Sequence, residues 1–74
     1  MRILLFGSIA EKAGTSVLEM NAPSLHSLRH QLIARIPGLE QMRYAIAIDR
    51  RVTVEDQALT GSEEIAVLPP FAGG

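Results

Sequence analysis

No cysteine occurs anywhere in the 74 residues. A disulfide framework, a thiolate nucleophile and a cysteine-based zinc site are therefore excluded together, and any sulfur chemistry must ride on something other than a thiol side chain. Basic excess is lacking as well, since seven Lys and Arg stand against eight Asp and Glu for a net charge of -1. Partners recognised by neutralising phosphate, nucleic acid and anionic membrane alike, are not expected. No apolar run approaches the length of a membrane span. Met1-Arg2-Ile3-Leu4-Leu5-Phe6 is too short and too weakly basic for a secretory leader, so a cytosolic protein is the expectation. A second domain has no room either. At this length a chain buries only about 60% of its unfolded surface and has one core to spend it on.

Catalytic constellations are missing in the same way. His26 and His30 have the spacing at which two imidazoles on a helix share a metal, but no third ligand stands near them, and the pair reads as a solvated helix face. Glu55, Asp56, Glu63 and Glu64 flank a turn without marking an acid/base pair in a cleft. Ser8, Ser16, Ser24, Ser27 and Ser62 have no nucleophile motif around them, and Gly7 and Gly14 are not followed by the helix and lysine of a phosphate-binding loop.

What is present is a folding pattern. Hydrophobic residues make up 47% of the chain, which argues for a globular fold. Residues 2 to 7 read as a buried strand stopping at Gly7. Ile9 to Ala13 reads as about one helical turn capped by Gly14, and Thr15 to Met20 as a second strand antiparallel to the first. Ser24 is suited to cap a helix in which Leu25, Leu28, Leu32 and Ile36 share one face, with His26, Arg29, His30, Gln31 and Arg35 on the wet side, and Pro37-Gly38 ends it. A connector leads on to the remaining strands. Tyr44 to Ile48 reads as a central strand, Asp49-Arg50-Arg51 as a turn, Val52-Thr53-Val54 as a short β run and Glu64 to Leu68 as the last strand. The expected fold is α+β: one mixed sheet covered by one main helix, with the first and last strands adjacent at its centre.

Alternation within these strands leaves apolar side chains on the uncovered face. If Ile3 and Leu5 face the helix, Leu4 and Phe6 do not; if Ile65 and Val67 face it, Ala66 and Leu68 join Leu4 and Phe6, with Val52 as a possible border. A chain this short cannot use both faces of its sheet for core, so the leftover face reads as an interface. Beyond the last strand come Pro69-Pro70-Phe71-Ala72-Gly73-Gly74. Two prolines end the strand and stiffen the segment after it, the glycines leave the end without side chains, and six extended residues reach roughly 20 Å.

Leu5-Phe6-Gly7, the strand ending at Asp49, the stretch Leu59 to Pro70 and the closing Gly73-Gly74 together resemble the small subunits of molybdopterin synthase, a family of ubiquitin-like sulfur carriers, over essentially the whole chain. The resemblance implies a ubiquitin-like β-grasp domain at 1-68 and a reactive tail at 69-74. In that family the carboxylate at the position of Gly74 is adenylated by an ATP-dependent activating enzyme and becomes a thiocarboxylate. Pro69, Pro70, Phe71, Ala72 and Gly73 would then enter the catalytic large subunit of a heterotetramer, where the sulfur builds the dithiolene of molybdopterin from cyclic pyranopterin monophosphate. Phe6, Val52 and Leu68 fall at interface positions. No tightly bound cofactor is implied, and ATP belongs to the activating enzyme. Two departures stand out: Phe71-Ala72 where the family has Val then Ser or Thr, and Asp49 where Asn is usual. A carrier for thiamin or tRNA thiolation, a ubiquitin-like modifier and a non-reactive interaction module are the alternatives.

Overall fold

The computed structural model describes residues 1–70. Along the chain lie β1 (Arg2–Leu5), α1 (Gly7–Ala13), β2 (Val17–Glu19), α2 (Leu25–Arg35), a 3-10 turn (Leu39–Gln41), β3 (Ala45–Ile48), β4 (Arg51–Val52) and β5 (Ile65–Leu68). The five strands form one sheet in the order β2-β1-β5-β3-β4. β1 and β5 run parallel at its centre, with Ile3 opposite Ile65 and Leu5 opposite Val67, while the other pairings are antiparallel.

α2 forms where the sequence places it because its leucines recur at helical spacing and Ser24 closes its start. The Ser24 hydroxyl accepts from the Ser27 N–H at 3.2 Å, a cap worth about 1 kcal/mol. Pro37 disfavours helical geometry at the residue before it, and Ile36 is extended at φ -113°. Leu25, Leu28, Leu32 and Ile36 are fully buried against Ile3, Leu5, Ile46, Ile65 and Val67, and Ile9 of α1 completes the cluster.

Several boundaries differ from the sequence expectation. Gly7 does not close β1 but opens α1, because the chain stays extended only through Phe6 and turns helical at once. β2 starts at Val17 rather than Thr15, and β4 stops at Val52, leaving Thr53 and Val54 outside the sheet. Arg29 and Gln31 are half buried rather than wet. The Arg29 guanidinium lies 5.8 Å from the centre of the Tyr44 ring and donates to the Thr53 carbonyl at 3.4 Å, and Gln31 donates to the Asn21 carbonyl at 3.0 Å. Both side chains tie the helix to the connectors that flank it.

The turn joining β3 to β4 has φ of +50° at Asp49 and +69° at Arg50, the twist that a two-residue hairpin between right-twisted strands requires. It is locked onto β5: the Asp49 N–H donates to the Glu64 carbonyl at 2.8 Å, and the Glu64 N–H donates to Asp49 Oδ1 at 2.9 Å. An asparagine oxygen would accept the same bond, so Asp49 retains what the more usual residue would supply.

Glu63 fastens the loop leading into β5 by accepting from the Thr60 N–H at 2.8 Å and the Gly61 N–H at 2.9 Å. These bonds, that from Thr60 first, favour the carboxylate and lower its pKa below the ordinary glutamate value. A lowered folded-state pKa means a contribution that is full above the ordinary glutamate value and lost as pH falls through the lowered one. Chemical denaturation of Glu63→Gln should therefore show less loss of stability on acidification than the parent chain, and identical acid profiles would refute the role given to Glu63.

Candidate functional site

Side-chain alternation from β1 to β5 sorts each strand into a covered and an uncovered face, and the register aligns the uncovered residues across the sheet. Val17 pairs with Leu4, Leu4 with Ala66, Ala66 with Ala47, and Ala47 with Val52. All five strands contribute one residue to this row, and none is polar. A second row lies beside it, where Ala45 pairs with Leu68 and Phe6 continues β1 alongside them. Phe6 remains extended at φ -126°, and its N–H donates to the Val67 carbonyl at 3.2 Å, so the alternation holds through this residue although β1 formally ends at Leu5.

The result is a flat apolar surface on the side of the sheet away from α2. Phe6 is 45% exposed, Val17 41% and Val52 59%, while Leu4, Ala66 and Leu68 are partly covered. Ala47 is buried yet stands outside the core cluster that includes its neighbours Ile46 and Ile48. The three alanines make the middle of the face low, and Phe6, Leu68 and Val52 rise around it. At one end of the sheet Arg2 pairs with Glu19 and the Arg50 Nε lies 3.5 Å from Glu64 Oε2.

Phe6, Val52 and Leu68, the positions expected at an interface, are thus brought onto one face, with Val52 two strand spacings, about 10 Å, from the strand carrying Leu68. Pro69 and Pro70 continue the chain directly from β5. Pro69 is half buried and Pro70 exposed. Phe71, Ala72, Gly73 and Gly74, which carry the remaining expectations for the tail, lie outside the described residues.

Sequence reasoning missed the residue beneath the root of that tail. Gly7 has φ +54°, and a Cβ built on it would stand 3.0 Å from Pro69 Cγ. The chain leaves β5 over this bare backbone. A glycine directly after the last extended residue of β1 was the available signal, but its meaning depends on β1 and β5 being neighbours. Val17 and Ala47 were missed too, because their place in the row is set by register.

Other candidate constellations do not converge. The His26 and His30 rings meet edge to face with centroids 4.7 Å apart, and among the described residues no group of three His, Asp or Glu side chains could hold a metal ion. Asp56 accepts from the His26 N–H at 2.8 Å, Glu63 from Thr60 and Gly61, and Glu64 lies against Arg50, so these carboxylates serve the loops. Among the described residues no buried side-chain nitrogen or oxygen lacks a partner, and no helix is long and apolar enough to cross a membrane. Among the described residues the arrangement is an uncovered apolar face beside the exit of the chain from β5.

Replacing Gly7 by Ala forces an L-residue into the left-handed region, at about 1–2 kcal/mol, and pushes against Pro69. Urea unfolding of Gly7→Ala should show a loss of at least that size; an unchanged midpoint would mean that Pro69 is not seated there.

The fold is shared with solved structures. The crystal structure of SAMP1 from Haloferax volcanii matches with a TM-score of 0.81 at 20% identity, covering 99% of this chain and 97% of that one. The solution structure of small archaeal modifier protein 1 from Methanosarcina acetivorans matches with a TM-score of 0.79 at 23% identity, covering 99% and 94%. These likenesses identify the ubiquitin-like β-grasp fold. In sequence, the chain is 29% identical over 80 residues to the molybdopterin synthase sulfur carrier subunit of Escherichia coli (strain K12), covering 100% of this chain and 99% of that protein. It is 27% identical over 79 residues to the protein of the same name in Arabidopsis thaliana, covering 100% of this chain and 82% of that one. The ThiS family pattern matches residues 3–74, all but the first two positions of the chain, and the chain belongs to the ThiS family.

Proposed function

We propose that this protein is a sulfur carrier and the small, non-catalytic subunit of a molybdopterin synthase, delivering sulfur as a thiocarboxylate on Gly74. The observation that carries this reading is the continuity of the apolar face with the chain exit: Phe6 and Leu68 stand side by side where β5 gives way to Pro69. A partner that covers the face receives the chain beyond Pro70. Full-length similarity to two molybdopterin synthase sulfur carrier subunits supports the choice of product.

In this reading residues 1-68 are a folded handle and residues 69-74 the delivered segment. A carboxylate is a poor electrophile until one oxygen becomes a good leaving group, so adenylation by an ATP-dependent activating enzyme precedes sulfur transfer. Gly73 and Gly74 have no Cβ, which lets the acyl carbon pass a narrow channel. Pro69 and Pro70 reduce the conformational entropy lost on threading. Docking through Phe6, Val52 and Leu68 places the tail in the large catalytic subunit, where cyclic pyranopterin monophosphate accepts the sulfur. The chain itself needs no bound cofactor for this, and the setting is the cytoplasm.

A protein modifier is the second reading, favoured by the description of one structural relative as a small archaeal modifier protein. Intact mass after incubation with the activating enzyme, ATP and a sulfur donor separates the two. The carrier should gain the mass of one sulfur in place of one oxygen, and deletion of Gly74 should abolish the gain without altering the unfolding midpoint. Conjugation to lysines of other proteins without that gain would establish the modifier instead.

Docking is tested at Phe6. Aspartate there is acceptable to the fold, because Phe6 is the N-cap of α1, a position at which Asp is favoured. Against the large subunit it places a charge in an apolar contact, at a cost of about 2 kcal/mol or more, roughly 30-fold in Kd. Calorimetric titration of Phe6→Asp with the large subunit should show that weakening at unchanged stability, and equal affinity would remove Phe6 from the interface.

A further inference from the structure

We propose that the free protein pairs with a second copy of itself along β4, in an antiparallel alignment centred on Thr53. The inference concerns the edge of the sheet and does not depend on the sulfur-carrier reading. Its first support is the order of residues. Arg50-Arg51-Val52-Thr53-Val54-Glu55-Asp56 runs from basic through apolar to acidic about Thr53. Two such segments laid antiparallel, with Thr53 opposite Thr53, set Val52 against Val54 and Arg51 against Glu55 on both sides of a two-fold axis. The segment is its own charge complement. A sheet edge defended by charges of one sign brings like charges together when a copy approaches antiparallel. Here the sign reverses across the centre, so the same approach brings opposite charges together.

The second support is the backbone. β4 is the outermost strand and has β3 as its neighbour on one side only. Arg51 lies opposite Ile48, and the Thr53 N–H donates to the Ile46 carbonyl at 2.8 Å, so the backbone groups of Arg51 and Thr53 turn inward to β3. Alternation turns those of Val52 outward. Val52 is also the residue that the centred alignment sets against Val54, so the outward backbone groups and the matched apolar side chains fall at one position.

Side-chain exposure is the third support. Val54 is 82% exposed and Val52 59%, the two highest values among the large apolar side chains of the described residues, and the pairing covers both. Arg51 and Glu55 are exposed and, among the described residues, belong to no ion pair. Arg50 and Asp56 are engaged within the chain, Arg50 by Glu64 and Asp56 by the His26 N–H, so Arg51 with Glu55 is the pair assigned to the contact.

The alignment leaves the rest of the molecule accessible. Opposed residues of an antiparallel pair point to one side, so Val52 and Val54 join the apolar rows of the two copies, and each α2 lies on the other side. β4 and β5 are both antiparallel to β3, so the two chain exits leave at opposite ends. The contact is small, and the association is therefore weak and reversible.

The test follows translational diffusion and amide chemical shifts of the full chain as its concentration is raised from micromolar to millimolar. Diffusion should slow, with the shift changes centred on residues 51–55. Arg51→Glu sets carboxylate against carboxylate at both ends of the contact, and Glu55→Arg sets guanidinium against guanidinium. Either variant alone should associate about tenfold or more weakly than the parent. An equimolar mixture of the two restores opposite charges at every contact and should associate as the parent does, which also shows that both variants are folded. Diffusion independent of concentration, association insensitive to either reversal, shift changes centred on Phe6 and Leu68, or a mixture that does not recover would each overturn the proposal.

Discussion

The parallel pairing of β1 with β5 is the constraint on which the rest of the molecule depends. It places the first and last strands side by side at the centre of the sheet, with Ile3, Leu5, Ile65 and Val67 buried beneath α2. The same register sets Leu4 beside Ala66 and carries β1 past Val67 to Phe6. Since both strands point the same way, β1 turns into α1 at the end of the sheet where β5 releases the chain. Gly7 and Pro69 meet there for that reason. An antiparallel pairing would have put the chain exit beside Met1 and divided the exit from the aromatic side chain that flanks it.

A second constraint is size. One eleven-residue helix and one of seven residues cannot cover both sides of a five-stranded sheet, so α2 defines an inside and the other face is left uncovered. Alanines occupy the middle, larger apolar groups stand at the margins, and the row that crosses all five strands has no charged residue. A face of this kind gains from burial without a desolvation cost for charges at its centre. The outer edge of β2 is protected separately: the Thr15 hydroxyl accepts from the Val17 N–H at 3.3 Å and donates to its carbonyl at 3.1 Å. The Val17 backbone groups that would otherwise extend the sheet into another chain are thereby occupied.

The division of labour arises from these constraints. Among the described residues stability resides in an aliphatic core, mostly Ile and Leu, with no buried polar side chain, while the proposed function assigns recognition to the uncovered face and reactivity to the terminus. In the proposed cycle the chain acts as substrate and carrier, and catalysis belongs to the proteins it visits. The absence of cysteine agrees with this assignment, because the sulfur would travel on the main-chain terminus rather than on a side chain.

Much of this was legible in the sequence, because the signals were local. Ser24 with the leucine spacing determined α2 and its start, Pro37 its end, and alternation in β1 and β5 determined which side chains turn away from the helix. Period-two geometry is a property of each strand's own backbone, so Phe6 and Leu68 could be assigned to one face before any fold was known. Tertiary structure decided what depends on register. Val17 and Ala47 complete the apolar row, Val52 borders it, and Gly7 lies under Pro69, only because β1, β5, β3 and β4 are neighbours at one particular offset. Strand neighbours and offsets are chosen by the summed packing of residues far apart in the chain. The sequence by itself determined which elements form and which residues close the chain; only the assembled sheet decided that the apolar face and the exit from β5 share one end.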